Sequence, residues 1–242
     1  MKSRFFAMLG MSVVFFSPVQ ADDFSNNFGG VTQASLDALT KDFSAAVGAG
    51  SYHTGEALGF PLGFDIGVHA AVVGVKDENT ILRDDGSTLT SGWVQAEVGL
   101  PLRLNVVGRL GKIQDADAFG GGLRLGIFKS AVPGIPSLSV TGLYTQSTHD
   151  MFDAKTLTGN LVLSFAVPFI HPYIGVGVDH TKLEVSDDPA IPAGSRNLDS
   201  SEDSTRIEAG INLSLIPFTY ITLGGGFANG EELYHAGLGA KF

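Results

Sequence analysis

Tyr234-His235-Ala236-Gly237-Leu238-Gly239-Ala240-Lys241-Phe242 closes the chain. Taken in steps of two, Tyr234, Ala236, Leu238, Ala240 and Phe242 form one stripe, and His235, Gly237, Gly239 and Lys241 form the other. Successive side chains of a strand point to opposite faces, so this stretch is a strand with one apolar face and one small or polar face. The same two-residue period, traced upstream, decides the fold.

From Leu58 onward the pattern repeats. Leu62, Phe64, Ile66, Val68, Ala70 and Val72 alternate with Gly63, Asp65, Gly67, His69, Ala71 and Val73. Val94, Ala96 and Val98 stand opposite Gln95, Glu97 and Gly99, and Leu102, Leu104, Val106 and Leu110 opposite Arg103, Asn105 and Arg109. Phe119, Leu123, Leu125 and Ile127 oppose Gly120, Gly122, Arg124 and Gly126. Segments around residues 138–145, 156–165, 173–179, 206–215 and 220–227 continue the series. With the terminal strand this predicts an all-β, antiparallel transmembrane barrel of about ten strands, in a range of eight to twelve.

The connections support that reading. Gly99-Leu100-Pro101, Ala166 to Phe169 and Leu215 to Phe218 are short and carry Pro, and Ala131 to Pro136 is a longer version. Lys76–Ser91, Gln114–Ala118, Ser147–Ala154, Ser186–Ser204 and Ala228–Glu232 are polar, and are read as loops on the opposite side. Short turns at one end and polar loops at the other are what a membrane barrel shows. A soluble β-sandwich also alternates, but its solvent face carries more charge than the Gly, Ser, Thr and Asn found here.

The N-terminal part differs. Lys2 and Arg4, an apolar run from Phe5 to Phe16, Pro18 and Val19-Gln20-Ala21 have the order of a secretory signal peptide over residues 1–21. Residues 22–57 then contain Leu36, Leu39 and Phe43 at helical spacing within Val31–Ala46, which predicts a short amphipathic helix and a connection. That segment is placed either in the periplasm or inside the barrel as a plug, with the barrel itself at 58–242. An exported chain with no cysteine has no disulfides to stabilise it. The 32 glycines and 10 prolines suit many tight turns, and a formal charge of −10 argues against nucleic acid.

The polar stripe is the source of candidate site residues. It holds Asp65, His69, Glu97, Arg103, Arg109, Arg124, Asp179, Arg206, Glu208 and His235, all expected to face the lumen. Buried charges are costly unless paired, so the first expectation is a network of Arg–carboxylate pairs filling a narrow barrel. Its rival is a narrow pore in which Arg103, Arg109 and Arg124 favour anions. No catalytic residue, metal site or cofactor is assigned. His149-Asp150, near Ser147 and Asp153, is the one pairing with nucleophile or metal chemistry to consider, and a solvated loop accounts for it as well. The acidic stretch Ser186–Ser204 suits either divalent cations or a plain surface loop.

The closing strand with its C-terminal Phe resembles the last strand of bacterial outer-membrane β-barrels, whose terminal aromatic is part of the signal read by the barrel-assembly machinery. The resemblance assigns that role to Phe242. Glu56-Ala57-Leu58-Gly59, Gly63-Phe64-Asp65-Ile66-Gly67-Val68 and Pro172-Tyr173-Ile174-Gly175-Val176-Gly177 resemble an uncharacterised family of such barrels. The resemblance implies the outer membrane, with its lipid and lipopolysaccharide as partners, and supplies no catalytic residue. A looser similarity to outer-membrane fatty-acid transporters rests on the N-terminal helix as a hatch. The expected function is a non-enzymatic barrel, either a narrow pore or a structural surface protein. The alternative is a lipid transporter or lipid-modifying enzyme gated by that helix.

Overall fold

The computed structural model describes residues 24, 28, 31–61, 63–82, 88–128, 135–189 and 191–242. The expected signal peptide and most of the Ala131–Pro136 connection lie outside them. Among the described residues one α-helix, α1 (Gln33–Gly48), precedes ten strands: β1 (Phe64–Gly74), β2 (Thr88–Gly99), β3 (Leu104–Ile113), β4 (Ala116–Phe128), β5 (Pro136–His149), β6 (Phe152–Phe165), β7 (Ile170–Val185), β8 (Asp199–Leu213), β9 (Thr219–Ala228) and β10 (Glu231–Lys241). Each strand pairs antiparallel with its neighbours in sequence, and β1 pairs with β10, so the sheet is a closed barrel without an edge. The closing seam sets Ile66 against Ala240 and Val68 against Leu238. Phe64 and Phe242 then exchange both backbone hydrogen bonds, at 3.2 and 2.7 Å.

The apolar stripe points outward on every strand. Val68, Val94, Leu110, Leu123, Leu161, Val176 and Leu223 are all exposed, which inverts the usual arrangement of a soluble protein. The polar stripe points inward: Asp65, Glu97, Asn105, Arg124, Asp179, Arg206 and Glu208 are buried.

At one end the turns are tight and use proline. Val167-Pro168-Phe169-Ile170 closes with Ile170 N–H donating to Val167 O at 3.2 Å, and Ile216-Pro217-Phe218-Thr219 with Thr219 N–H donating to Ile216 O at 3.1 Å. Pro presets the first central position, and Phe169 (φ 67) and Phe218 (φ 65) take the left-handed second position. A 3₁₀ turn, Pro101–Arg103, does the same work between β2 and β3. Arg103 therefore departs from its expected place in the lumen. With φ 61 it belongs to the turn, is exposed, and donates from Nη1 to Ile127 O at 3.3 Å. The alternation of β3 begins only after that left-handed pair, at Leu104.

The opposite end corrects the expected loops. β3–β4, β5–β6 and β9–β10 are joined by two residues each: Gln114-Asp115, Asp150-Met151 and Asn229-Gly230. Asn229 (φ 55) and Gly230 (φ 96) provide the two positive φ values that a tight hairpin with right-handed twist requires. Only the β1–β2 and β7–β8 connections, residues 75–87 and 186–198, are long. The strands run further than expected because face polarity inverts here. Phe152, Ala154, Leu183, Val185, Leu89, Ile113 and Leu233 point inward and are buried, while Lys155, Lys182 and Glu184 point outward.

That inverted end receives the helix. Thr32 caps α1: its Oγ1 accepts from Ser35 N–H, and Ser35 Oγ accepts from Thr32 N–H at 3.0 Å. Leu36, Leu39 and Phe43 are fully buried among Phe24, Phe28, Phe152, Leu89, Ile113 and Leu183. Phe152 makes edge contacts with Phe43 at 5.5 Å and Phe24 at 5.1 Å. Apolar side chains of this size each contribute about 1.5–3 kcal/mol on burial. Residues 33–48 therefore pack inside the loop end of the barrel and contribute to its apolar core.

Candidate functional site in the lumen

Past α1 the chain descends through the barrel as an extended thread, residues 49–58. Every residue from Asp42 to Gly55 is buried. Gly48, the last helical residue, lies against the wall so closely that a Cβ would stand 2.3 Å from Asp179 Oδ1 and 2.5 Å from Arg206 Nη2. Gly55 is held the same way: a Cβ there would meet Val162 O at 2.6 Å and Ser137 O at 2.8 Å, both backbone atoms.

The thread is tied to the wall at each level. Asn160 Nδ2 donates to Ser51 Oγ at 3.1 Å, and Gln95 Nε2 to Ser51 O at 3.4 Å. Tyr52 packs edge-on against Tyr173, ring centres 6.2 Å apart. His53 stacks on Tyr220 at 4.4 Å, with its Nε2 3.3 Å from Asp65 Oδ2. Gly55 N–H donates to Ser164 Oγ at 3.0 Å, and Leu58 N–H to Asn105 Oδ1 at 3.2 Å. These partners lie on β1, β2, β3, β6, β7 and β9, so the thread is bound all around the bore.

Three charged groups occupy the wall. In the first, Arg206 donates from Nε to Asp179 Oδ2 at 2.6 Å and from Nη2 to Asn160 Oδ1 at 2.8 Å, and its Nη1 bonds Glu208 Oε1. Thr158 Oγ1 donates to Asp179 Oδ1 at 2.6 Å, while His235 Nε2 lies 3.4 Å from Glu208 Oε2 and 3.1 Å from Tyr173 OH. In the second, Arg124 Nη2 lies 2.9 Å from Glu97 Oε1, which also accepts from Gln95, while Asn105 Nδ2 donates to Glu97 Oε2. In the third, Tyr220 OH donates to Asp65 Oδ1 at 2.9 Å beside His53, and His69 stacks on His53 at 5.6 Å. Arg–carboxylate pairs thus join Arg206 to Asp179 and Glu208, and Arg124 to Glu97. Arg109 stands outside them, bonded through Nη2 to Thr145 Oγ1 at 2.6 Å and lying over the Trp93 ring at 4.2 Å.

At the loop end, α1 carries one buried carboxyl. Asp42 Oδ2 accepts from Lys76 N–H at 3.1 Å and Asn79 Nδ2 at 2.9 Å. Burial pushes its pKa up to about 6, and those hydrogen bonds oppose the rise without cancelling it.

His149 does not pair with Asp150. Its Nε2 lies 3.0 Å from Asp115 Oδ2, its Nδ1 accepts from Met151 N–H at 3.1 Å, and its ring packs on Phe24 and Phe152. Among the described residues no three His, Cys, Asp or Glu side chains are grouped to hold a metal. One constellation escaped the sequence reading. On the outer face just above the apolar belt, His180 Nδ1 stands 2.8 Å from Asp203 Oδ1, and His180 Nε2 stands 3.4 Å from Ser201 Oγ. His180 is more than 20 residues from Ser201 and Asp203, across a strand pair, with no signature around any of the three. Only the register, His180 opposite Asp203 and Lys182 opposite Ser201, brings them together.

No family model matches the chain, and no curated protein matches it. Similar solved structures are outer-membrane barrels. The N-terminal β-barrel domain of Pseudomonas aeruginosa OprF is 14% identical, the match covering 73% of this chain and 97% of that one with a TM-score of 0.35. Neisserial surface protein A is 10% identical over 74% and 97%, with a TM-score of 0.37. Ail of Yersinia pestis is 15% identical over 77% and 99%, with a TM-score of 0.35. The likeness is one of barrel architecture. The strand number and closure rest on this chain's own pairing.

Proposed function

We propose that this chain is an outer-membrane barrel whose own N-terminal segment seals its lumen, acting as a non-enzymatic structural or surface-exposed protein. One observation carries the reading: residues 42–55 are buried along the bore, and residues 51–58 touch six strands through hydrogen bonds, an ion pair and ring contacts. A pore needs a continuous water path, and the thread stands where that path would run. The outward face supports membrane residence. From Ile170 to Val178 the outward side chains of β7 are apolar, which at about 3.3 Å per residue spans roughly 26 Å along the strand. With a tilt of about 40° that becomes roughly 20 Å of height, close to the apolar band of a membrane barrel. The exposed Phe169, Phe218 and Phe242 at the turn end suit the aromatic girdle at a bilayer interface. Lipid and lipopolysaccharide are the partners this reading names.

The test is conductance. Purified protein inserted in planar bilayers should show no steady channel, and a stable conductance from the unmodified chain would overturn the sealed-lumen reading.

A second reading has one observation in its favour. The Ser201–His180–Asp203 chain has the order of a nucleophile, base and orienting acid, on the outer face one outward position beyond the apolar run of β7. Under that reading the protein cleaves acyl esters at its outer rim. A fluorophosphonate probe should then label the native protein and leave Ser201→Ala unlabelled. No label on either protein removes this reading.

A further inference from the structure

Arg109 is buried, and among the described residues its one hydrogen bond goes from Nη2 to Thr145 Oγ1. Nε and Nη1 have no hydrogen-bond partner, and no carboxylate stands within ion-pair distance among the described residues. The charged groups acting on it are Asp179 and Arg206, and Asp179 is already bound by Arg206 and Thr158. A buried guanidinium with two idle nitrogens, carrying three N–H groups, requires an acceptor.

Its surroundings offer donors. The Trp93 ring lies beneath the guanidinium, and Trp93 Nε1, a donor only, is buried and unpartnered. Ser91, two residues along the inward face of β2, and Ser147, two residues along β5 from Thr145, have buried hydroxyls that are also unpartnered. Thr145 Oγ1 accepts from Arg109, which leaves its own proton to donate. The inward positions of β3 and β4 between these strands are the small residues Gly111, Ala118 and Gly120. A single water held there has two lone pairs and accepts from at most two of these groups. An anion accepts from all of them.

We propose that Arg109, Trp93, Thr145 and Ser147 form a buried site for a small inorganic anion of halide size, enclosed by the plug and wall. The site rests on the sealed lumen only for its enclosure; its donor set belongs to the wall.

Trp93 is the single tryptophan of the chain and lies in the site, so it reports occupancy directly. Protein is refolded into detergent in bromide or iodide at fixed ionic strength, so that slow entry does not limit binding, and Trp93 emission is recorded. Bound heavy halide should quench it along a saturating curve, and added chloride, which quenches poorly, should restore the emission in competition. Arg109→Gln should lose the saturating component, and the wild-type competition experiment stands even if that variant fails to fold. Quenching that is linear in halide and insensitive to chloride would overturn the site. So would a saturating curve that Arg109→Gln leaves unchanged. Because the readout is fluorescence and not conductance, its failure is distinct from failure of the sealed-lumen reading.

Discussion

Asp42 and Arg206 show how single side chains hold the plug. Asp42 is the only ionisable group on the buried face of α1, and its pKa of about 6 lies above the ordinary carboxylate value. A group whose folded pKa is raised contributes stability that is fully present below the unfolded pKa and lost as pH rises through the folded one. Docking of α1 should therefore weaken between about pH 4 and pH 6, by on the order of 2–3 kcal/mol. Asp42→Asn keeps an acceptor for Lys76 N–H and Asn79 and should abolish that dependence, raising stability at pH 7.5. Hydrogen exchange of the α1 amides at pH 4.5 and 7.5 measures it; equal protection of the wild type at both values would contradict the assignment. Arg206 works by pairing. Arg206→Met leaves Asp179 and Glu208 buried side by side without a cation, and removing one partner of such a group costs about 3–5 kcal/mol. The triple variant with Asp179→Asn and Glu208→Gln should recover part of that loss in urea unfolding.

Elements were legible in the sequence wherever one face met an apolar medium and the other a polar one. The helix was readable from Leu36, Leu39 and Phe43, and its bounds differ from expectation by two residues at each end. The central parts of the strands followed the two-residue period. The ends toward the loops did not, because there the plug makes the lumen apolar while the outer face turns polar. Phe152 and Ala154 point in and Asp153 and Lys155 point out, so the pattern that marks a membrane strand reads backwards and resembles a polar loop. Ser147–Ala154, expected as a loop, is a two-residue turn for this reason. Arg103 failed differently: its residue type suited the lumen, but the left-handed backbone of Leu102 and Arg103 belongs to a turn that period alone does not reveal. The same backbone feature yields a prediction at the proline turns. Phe169 and Phe218 occupy positions that favour glycine, so Phe169→Gly should relieve about 1 kcal/mol of local backbone cost in detergent-solubilised protein. In lipid bilayers it should gain less or lose, since an exposed interfacial ring is removed. Equal effects of Phe169→Gly in detergent and bilayer would show that the ring has no interfacial role.

Across the whole molecule, the thread makes barrel and plug one folding unit. The helix supplies the apolar core that an inside-out barrel otherwise lacks, and the thread supplies hydrogen-bond partners to wall groups that would be orphaned in an empty bore. Leu39→Ala should accordingly destabilise the barrel itself by about 2–5 kcal/mol, and not merely loosen a terminal segment. The temperature at which the SDS-resistant band shifts on a gel should fall with it. An unchanged shift temperature would mean that the barrel is stable without its plug.

The seating of the thread can be read directly because the chain contains no cysteine. Thr54 Oγ1 on the thread and Ser164 Oγ on β6 lie 3.4 Å apart, near the turn end of the bore. Thr54→Cys with Ser164→Cys places two thiols in contact in an otherwise thiol-free protein. With membranes isolated from expressing cells and treated with a mild oxidant, a seated thread predicts near-complete disulfide formation, and protection of both thiols from maleimide before oxidation. Thiols that label freely and fail to cross-link would show that the lumen is open and the thread lies elsewhere.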